Sequence, residues 1–281
     1  QRILVTGATG CIGGAIARAL AALGATVIAT GRDADVGGAL AAACSRFVPC
    51  SDLTADGAAG ALCAGMHAVV HADDSLATTG CVPWSAGQGR VNVAMTAALL
   101  LAAREAGVLR LVHISTAELY ASAPEAALTA CRDMPLIGGF LRLLALSSAE
   151  GCDEERMPAR ALLPRAEWSA LPLPAASTSA YTYTKLQAEV AVTEAYLAGL
   201  GTVTLRPSTV LSPALTSGTI ARLLATRGRP LVAGANHACI DFTHVDNVAH
   251  AVALALRAPA TVHGRTYHIG SHEPMRLWSV I

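Results

Sequence analysis

Short apolar runs alternate with alanine-rich stretches through the first half of the chain, and this alternation restricts the fold more than any single motif. Strands separated by helices of about 10–15 residues form βαβ units, which build a parallel sheet. The central residues of the apolar runs include no charged side chain, as expected for strands that are covered on both faces. The predicted strands are Arg2–Thr6, Thr26–Thr30, Arg46–Pro49, Ala68–His71, Arg110–Ile114, Thr202–Leu205 and Arg265–Ile269. The predicted helices are Ile12–Leu23, Ala34–Ala43, Ala55–Cys63, Val91–Ala106, Tyr181–Ala198, Thr216–Arg227 and Val245–Arg257. This pattern predicts an α/β protein with a doubly wound parallel sheet.

The alternation stops between residues 121 and 179, a stretch that contains six prolines. We expect it to be an insertion over a functional site rather than part of the sheet. Its apolar run Pro135–Leu146 is open to four interpretations: a lid, a subunit contact, a membrane-surface element or a buried helix. The predicted domains are therefore a main domain over residues 1–205, and a small substrate-binding lobe mainly from residues 206–281, part of which returns to the main domain.

Composition excludes several classes of function. Lys+Arg and Asp+Glu number 20 each, which argues against a nucleic-acid groove. The longest nearly continuous apolar stretch, Val93–Ala103, is too short to cross a bilayer. The 8 cysteines form no C-x-x-C pair or His/Cys cluster, so we expect neither disulfides nor a metal site. We expect a cytoplasmic protein with reduced thiols.

Three glycines at regular spacing follow the first predicted strand, in the segment TGATGCIGG (6–14). Gly7 allows a tight strand-to-helix turn, Gly10 lets the backbone approach a pyrophosphate, and Gly13 lets the helix pack on the sheet. The helix N-terminus offers N–H groups and the positive end of its dipole. The segment predicts a Rossmann-type dinucleotide site formed by Gly7, Thr9, Gly10, Cys11, Ile12 and Gly13. The alternative is a glycine-rich turn of an ordinary α/β sheet.

The tip of the second predicted strand indicates which dinucleotide binds. NAD sites place a carboxylate there to bond the ribose 2′-hydroxyl, whereas NADP sites place a cation nearby. Here Thr30-Gly31 is followed by Arg32, and Asp33 lies one residue further. A charge-assisted bond from Arg32 to a 2′-phosphate is worth about 1.5–3 kcal/mol. We therefore predict NADP(H), with NAD(H) as the second choice; the alternative is that Arg32 pairs with Asp33 or Asp35.

Polar and small residues follow two further strands at their carboxyl ends, where such sheets bind ligands. Asp52 is positioned to accept from the adenine amino group and Leu53 to flank the ring. His71 and Ala72 close the fourth strand beside the cofactor. Each alone is also explained as a loop cap or a core residue.

Tyr181 and Lys185 are four residues apart on a predicted helix and therefore lie on one face. An ordinary tyrosine has a pKa near 10, too high for a general base at neutral pH. A neighbouring ammonium and an oxidised nicotinamide both favour the phenolate. Lys185 can also bond the nicotinamide ribose. Tyr183 is the competitor, but its partner one turn on is the uncharged Gln187.

Ser115 and Thr116 follow the fifth predicted strand. A hydroxyl here can donate to the substrate oxygen while Tyr181 exchanges its proton, which stabilises developing alkoxide charge. The alternative is a pair of helix-capping hydroxyls.

Over nearly its whole length the chain resembles the extended short-chain dehydrogenase/reductase family. The matching segments are TGATGCIGG, SDL (51–53), VVHA (69–72), NVAMTAALLLAAREAGVLRLVHIST (92–116), AYTYTKLQAE (180–189) and LRPSTVLSP (205–213). The resemblance implies that Thr116, Tyr181 and Lys185 form the catalytic set and that Asn92 supports the site. It also implies that Arg206–Val210 lies along the nicotinamide, with Pro207 and Val210 at the cofactor, and dimers are common in this family.

The C-terminal third is similar to the 3β-hydroxysteroid dehydrogenase branch, in HVDNVAHAVALAL (244–256) and GRTYHIGSHEPMRLWSVI (264–281). Sugar-nucleotide enzymes of the family usually carry an arginine before the Asp-Phe pair, where Ile240 precedes Asp241. The dehydratase acid pair is incomplete, since Ala117 stands where an aspartate would be, beside Glu118.

Three functions remain in competition. The first is an NADP-dependent oxidoreductase that acts on a secondary alcohol or ketone of an apolar, steroid-like or lipid-like substrate. The second is a sugar-nucleotide epimerase or dehydratase. The third is a non-catalytic NADP-binding regulator, which is disfavoured because the Tyr181–Lys185 pair is present.

Overall fold

Seven parallel strands form the main sheet of the protein, in a computed structural model that describes residues 1–73, 86–120, 180–213, 239–271 and 273–276. The strands in the described residues are β1 (Arg2–Thr6), β2 (Thr26–Gly31), β3 (Arg46–Pro49), β4 (Ala68–His71), β5 (Arg110–Ile114), β6 (Thr202–Pro207), β7 (Thr209–Leu211), β8 (Cys239–Ile240), β9 (Phe242–His244), β10 (Arg265–Ile269) and β11 (Met275–Arg276). The main sheet has the order β10-β6-β5-β4-β1-β2-β3, and β7–β9 and β8–β11 form two further pairs.

Helices cover both faces of this sheet. They are α1 (Cys11–Ala22), α2 (Ala34–Ala41), α3 (Ala58–Cys63), α4 (Ala86–Glu105), α5 (Ala180–Leu197) and α6 (Val245–Arg257), with short 3-10 turns at Ala117–Tyr120 and Ala260–Val262. Residues of α1, α2 and α6 form one apolar cluster with the sheet, and residues of α3, α4 and α5 form another on the opposite face. The α/β fold with a doubly wound parallel sheet is therefore confirmed.

The order of strands reverses between β1 and β4, which are neighbours in the sheet although β2 and β3 lie between them in the chain. In such sheets a crevice opens beyond the carboxyl ends of the strands at this reversal. The fold thus places the glycine segment, which follows β1, directly at the crevice.

The bounds of the seven main-sheet strands agree closely with the predictions, and of these only β2 and β6 extend further than predicted. The strands of the two further pairs, β7, β8, β9 and β11, were not predicted. The third helix begins at Ala58 rather than Ala55 because Gly57 takes a left-handed conformation with φ 71° before it. The fourth helix begins earlier than predicted, at Ala86. The predicted helix Thr216–Arg227 and the insertion 121–179 lie outside the described residues.

Two C-terminal elements belong to the main sheet rather than to a separate lobe. β10 pairs in parallel with β6, and α6 contributes Ala249 and Val252 to the same cluster as α1. The apolar surfaces of α6 and β10 thus extend and cover the main sheet, and these two elements are a part of residues 206–281 that lies in the main domain. The rest of the domain division stays a prediction. Among the described helices, none has the length and apolarity needed to span a membrane.

Candidate active site

The glycine turn after β1 packs tightly against the end of β4. Gly7 has φ 67°, and a Cβ built on it would lie 2.4 Å from the carbonyl oxygen of Ala72. A Cβ on Gly13 would lie 2.3 Å from the carbonyl oxygen of Gly7. Both positions therefore exclude any side chain, which lets the turn and the start of α1 lie against the strand reversal.

The N-terminus of α1 faces this crevice without a side-chain cap. Its N-cap residue is Gly10, whose N–H donates to Gly7 O at 2.9 Å, and no side chain caps the helix there. Cys11 and Ile12 begin the helix and are partly buried. First-turn N–H groups and the helix dipole together suit a phosphate, so the residues present fit a dinucleotide pyrophosphate.

The tip of β2 leaves no room for an acidic side chain at residue 31. A Cβ on Gly31 would lie 2.6 Å from the Thr9 hydroxyl oxygen. The Asp33 carboxylate caps α2, accepting from the N–H groups of Asp35 and Val36 at 3.0 Å each. Arg32 lies between them with an exposed side chain.

Asp52 and Leu53 follow β3, as the sequence indicates, but their side chains are engaged in the protein. Asp52 Oδ1 accepts from the Thr54 N–H at 2.7 Å and from the Thr54 hydroxyl at 2.6 Å. These bonds lower the pKa of Asp52. The Leu53 side chain is 2% exposed and packs against α3 and α4. Because the Leu53 side chain is part of the core, almost none of its surface is accessible to an adenine ring. An adenine contact at this position would involve the backbone of Leu53.

His71 lies at the end of β4, but its ring is buried against α4 rather than directed to the crevice. Its Nδ1 lies 2.8 Å from the Thr6 hydroxyl, and its Nε2 lies 3.0 Å from the Thr96 hydroxyl. The Thr96 hydroxyl donates to the carbonyl oxygen of Asn92 at 3.0 Å, so it must accept from Nε2. This assigns the proton to Nε2 and leaves Nδ1 to accept from Thr6. The predicted cofactor contact at His71 can therefore come only from its backbone, and the side chain instead ties the first strand to the helix turn of Asn92.

Lys185 reaches the carboxyl end of β5. Its side chain is 8% exposed, and its Nζ donates to the carbonyl oxygen of Ile114 at 3.1 Å. Ser115 and Thr116, the next two residues, are also buried. Tyr181 lies one turn before Lys185 in α5, but its side chain, like those of Tyr183 and Glu118, lies outside the described part of the chain. The structure thus places the predicted lysine at the end of β5, directly before the predicted hydroxyl pair in the chain.

A buried ion pair that sequence reasoning missed lies one turn further along α5. Glu189 accepts from Arg206 of β6 through both oxygens, with Nε–Oε1 at 2.9 Å and Nη2–Oε2 at 2.6 Å. Their side chains are 4% and 1% exposed. Burial raises the pKa of Glu189 to about 7, against the opposing effect of the Lys185 ammonium, and lowers the pKa of Arg206 to about 10. The two hydrogen bonds of the pair are charge-assisted. The repeat of Tyr181, Lys185 and Glu189 at every fourth position was the available signal.

The segment after Arg206 carries Pro207 and Val210, whose contact with a cofactor stays a prediction. Pro207 is the last residue of β6, and Val210 pairs with Thr243 in the β7–β9 pair beyond it. The Arg206 side chain itself does not extend toward the crevice, because it is buried against Glu189.

His113, on β5, is a further buried polar residue of the site and lies beside His71. Its ring centroid lies 5.6 Å from that of His71, and its side chain is fully buried. Burial and the nearby Lys185 ammonium lower the pKa of His71 to about 3 and that of His113 well below its usual value, so both rings are neutral. Within the described residues, no group of His, Cys, Asp and Glu side chains is arranged to hold a metal ion.

Comparison with known proteins identifies the family. The sequence matches the model of the NAD dependent epimerase/dehydratase family over residues 3–270, and the chain belongs to that family. With its fold, this makes the protein an NAD(P)-dependent enzyme of the extended short-chain dehydrogenase/reductase type. No curated protein matches the sequence significantly.

Several solved structures share the fold. A UDP-glucuronic acid 4-epimerase mutant from Bacillus cereus, in complex with a fluorinated UDP-sugar and NAD, is 20% identical with a TM-score of 0.72, over 99% of this chain and 80% of the other. MoeE5 in complex with UDP-glucose and NAD is 25% identical with a TM-score of 0.69, over 100% and 80%. The UDP-glucose 4-epimerase of Thermus thermophilus with NAD is 22% identical with a TM-score of 0.67, over 100% and 81%.

Proposed function

We propose that the protein is an NADP(H)-dependent oxidoreductase that moves a hydride and a proton at a secondary alcohol or ketone carbon. The observation that carries this proposal is the contact of the buried Lys185 Nζ with Ile114 O at 3.1 Å. It anchors α5 at the carboxyl end of β5, directly before Ser115 and Thr116, and Tyr181 lies one turn earlier. Tyr181 exchanges the proton, Lys185 stabilises its phenolate, and Thr116 donates to the substrate oxygen.

The crevice at the β1–β4 reversal is the proposed cofactor site. The N–H groups of Thr9, Cys11 and Ile12 would hold the pyrophosphate, with Gly7, Gly10 and Gly13 allowing its approach. On the adenine side lie Arg32, Asp52 and the backbone of Leu53; on the nicotinamide side lie the backbones of His71 and Ala72, together with Asn92, Lys185, Pro207 and Val210. The bound nicotinamide would donate or accept the hydride.

The catalytic part of the proposal is tested by removing one phenol. Tyr181→Phe should lower kcat by about 10²–10⁴-fold, the usual contribution of a general acid–base, while the Kd for NADPH changes little. Tyr183→Phe is the matched control, since its neighbour one turn on is the uncharged Gln187. Equal losses in the two variants, or none in Tyr181→Phe, would contradict the assignment.

The preference for NADP(H) rests on Arg32. Because Asp33 is committed to the α2 cap and Gly31 admits no side chain, the tip of β2 offers no free carboxylate to a ribose 2′-hydroxyl. In calorimetry, Arg32→Gln should weaken NADPH about 10–100-fold and leave NADH nearly unchanged. Arg257→Gln, which removes an exposed cation from α6, is the control. Equal binding of NADPH and NADH by the natural chain would overturn this preference.

The proposed substrate is apolar, steroid-like or lipid-like. Ile240 occupies the position at which sugar-nucleotide enzymes of the family carry a diphosphate-binding arginine. Asp241 next to it is held by Ser271, whose N–H and hydroxyl donate to Oδ1 at 3.1 and 2.9 Å. A panel of keto-steroids, β-keto acyl compounds and UDP-sugars, with NADPH oxidation and NADH formation as readouts, tests this substrate class.

A sugar-nucleotide epimerase is the second candidate, favoured by the UDP-sugar complexes among the similar structures. It predicts turnover of a UDP-sugar without net cofactor oxidation, which chromatography of the products would detect. The family resemblance also leads us to propose a homodimer, which sedimentation would test.

A further inference from the structure

Three charged side chains are buried together beneath the proposed catalytic helix turn. Lys185, Glu189 and Arg206 are all buried. Buried charges are costly to desolvate, and an ion pair of this kind is often no more stable than well-packed apolar residues of the same size. Stability therefore does not by itself explain why these charges lie here.

The contacts of the three residues close a ring between α5 and the ends of two strands. Lys185 Nζ donates to Ile114 O of β5 at 3.1 Å, and Ser115 N donates to Leu205 O of β6 at 2.8 Å. The next residue of β6, Arg206, returns to α5 through Glu189. The ring holds the turn of α5 that carries Lys185 at a defined height above the sheet.

The charges in this ring do not cancel. Glu189 is paired through both oxygens with Arg206, and the Lys185 ammonium adds a second cation beside them. The titratable groups facing Lys185 from β4 and β5 are His71 and His113, which are both neutral, and from α5 and β6 they are Glu189 and Arg206. Burial raises the pKa of Glu189 to about 7, so above that pH, once Glu189 is ionised, the three side chains together contribute one net positive charge.

We propose that Glu189 and Arg206 are positioning residues that hold Lys185 at the end of β5, and keep one net positive charge below Tyr181, so that they set the pH at which the Tyr181 phenol ionises. The inference rests on the proposed role of Tyr181. Glu189 and Arg206 act through Lys185 and touch no reacting atom.

Opposite changes of charge should shift this ionisation in opposite directions. Glu189→Gln adds one net positive charge and favours the phenolate, so Tyr181 should ionise about one pH unit lower. Arg206→Gln leaves Glu189 facing Lys185, so Tyr181 should ionise about one pH unit higher. This size is expected for a unit charge two helical turns away, about 11 Å, at an effective dielectric constant of about 20. The double variant Glu189→Gln/Arg206→Gln restores the net charge and should return near the natural value.

The ionisation can be measured without turnover. Ultraviolet difference titration detects tyrosinate, and subtracting the titration of Tyr181→Phe in the same background isolates Tyr181, with and without saturating NADP+. Glu194→Gln removes a more distant and more exposed carboxylate from the same helix and should shift the ionisation far less. Arg206→Lys keeps the charge and should leave it nearly unchanged.

Shifts of opposite sign that cancel in the double variant support the inference, since loosened packing alone would not reverse with charge. Absent shifts, or shifts of one sign in both single variants, overturn it. If the single variants do not fold, two double variants can be compared. Glu189→Gln/Arg206→Lys carries the extra positive charge, so its Tyr181 must ionise at a lower pH than Tyr181 in Glu189→Gln/Arg206→Gln. A natural Tyr181 that ionises near pH 10 refutes the proposed function instead, whichever way the variants shift.

Discussion

The two faces of the main sheet are built differently although the same strands supply both. On the face covered by α1 and α6, three neighbouring strands contribute apolar side chains. Val70 of β4, Ile114 of β5 and Leu205 of β6 all belong to one apolar cluster there. Toward α4 and α5 the carboxyl ends of the strands carry a polar row in register, in which Thr6 lies beside His71, His71 beside His113, and His113 beside Thr204. One face is a hydrophobic core throughout, and the other becomes a polar layer near the crevice.

This difference separates stability from function along each strand. On the face that carries the polar row, the residues two positions earlier in β1, β4 and β5 are apolar. They are Leu4, Val69 and Leu111, which belong to one apolar cluster. Polar side chains replace apolar ones only where the strands approach the crevice. Thr6, His71 and Thr96 are hydrogen-bonded to one another there, whereas both ring nitrogens of His113 are buried without a hydrogen-bond partner among the described residues, which costs desolvation free energy. The hydrogen-bonded groups of this layer hold α4 and α5, which carry Asn92 and Lys185.

The largest predicted effects concern two successive residues of β6, which lose stability by different mechanisms. Arg206→Met leaves Glu189 buried without its partner, which should cost about 3–5 kcal/mol of unfolding free energy. Leu205→Ala, on the opposite face, should cost about 2–5 kcal/mol through lost burial and a cavity. Denaturant unfolding at several pH values separates the two mechanisms.

The cost of Arg206→Met should fall as the pH is lowered, whereas that of Leu205→Ala should stay constant. In Arg206→Met the folded-state pKa of Glu189 is raised above its unfolded value, so protonation at lower pH relieves the folded state. Adding Glu189→Leu to Arg206→Met should recover most of the loss. A cost of Arg206→Met that does not depend on pH would show that the pair acts by packing alone.

An intermediate effect is expected from the buried histidines. Because the folded-state pKa of His71 is lowered from 6.5 to about 3, and that of His113 is lowered as well, the unfolded chain takes up protons first. Their neutral burial therefore lowers stability progressively as the pH falls below about 6.5, and no such loss occurs above it. The slope of unfolding free energy against pH reports how many more protons the unfolded chain binds than the folded one. His113→Leu should lower that number by about one in the acid range.

The control for this slope is His250→Gln, an exposed position on α6. It should leave the acid dependence of unfolding nearly unchanged. An equal decrease in both variants would mean that the polar layer does not bury its histidines in the neutral form.

The smallest effects are predicted for two exchanges of nearly equal shape. Thr96→Val removes the hydroxyl between His71 and Asn92 and should cost about 1–2 kcal/mol, because a buried imidazole N–H loses its acceptor. Val70→Thr on the opposite face buries a hydroxyl among apolar side chains and should cost about 1–3 kcal/mol. Only Thr96→Val should also weaken NADPH binding, which calorimetry would measure. Loss of binding in both variants would remove the distinction between the faces.

The sequence alone determined the seven strands of the main sheet, their order along the chain and the position of the glycine turn. Alternation of apolar runs and helical stretches is a local property of the sequence. Gly7 and Gly13 mark positions at which only glycine fits, because any Cβ there would collide with the backbone. The spacing of Tyr181 and Lys185 likewise follows from the helical period. Arg206 was assigned only to a segment along the nicotinamide, and Leu53 and His71 were expected to face the cofactor.

Tertiary structure decided where those side chains are directed. Glu189 and Arg206 meet only when α5 lies across β6, and the His71 ring finds Thr6 and Thr96 only when α4 covers β1 and β4. The assignment of α6 and β10 to the main sheet also depends on pairing between strands far apart in the chain. Local patterns specify which face of an element is apolar, but long-range contacts decide which buried polar groups become partners, since each partner comes from a different element.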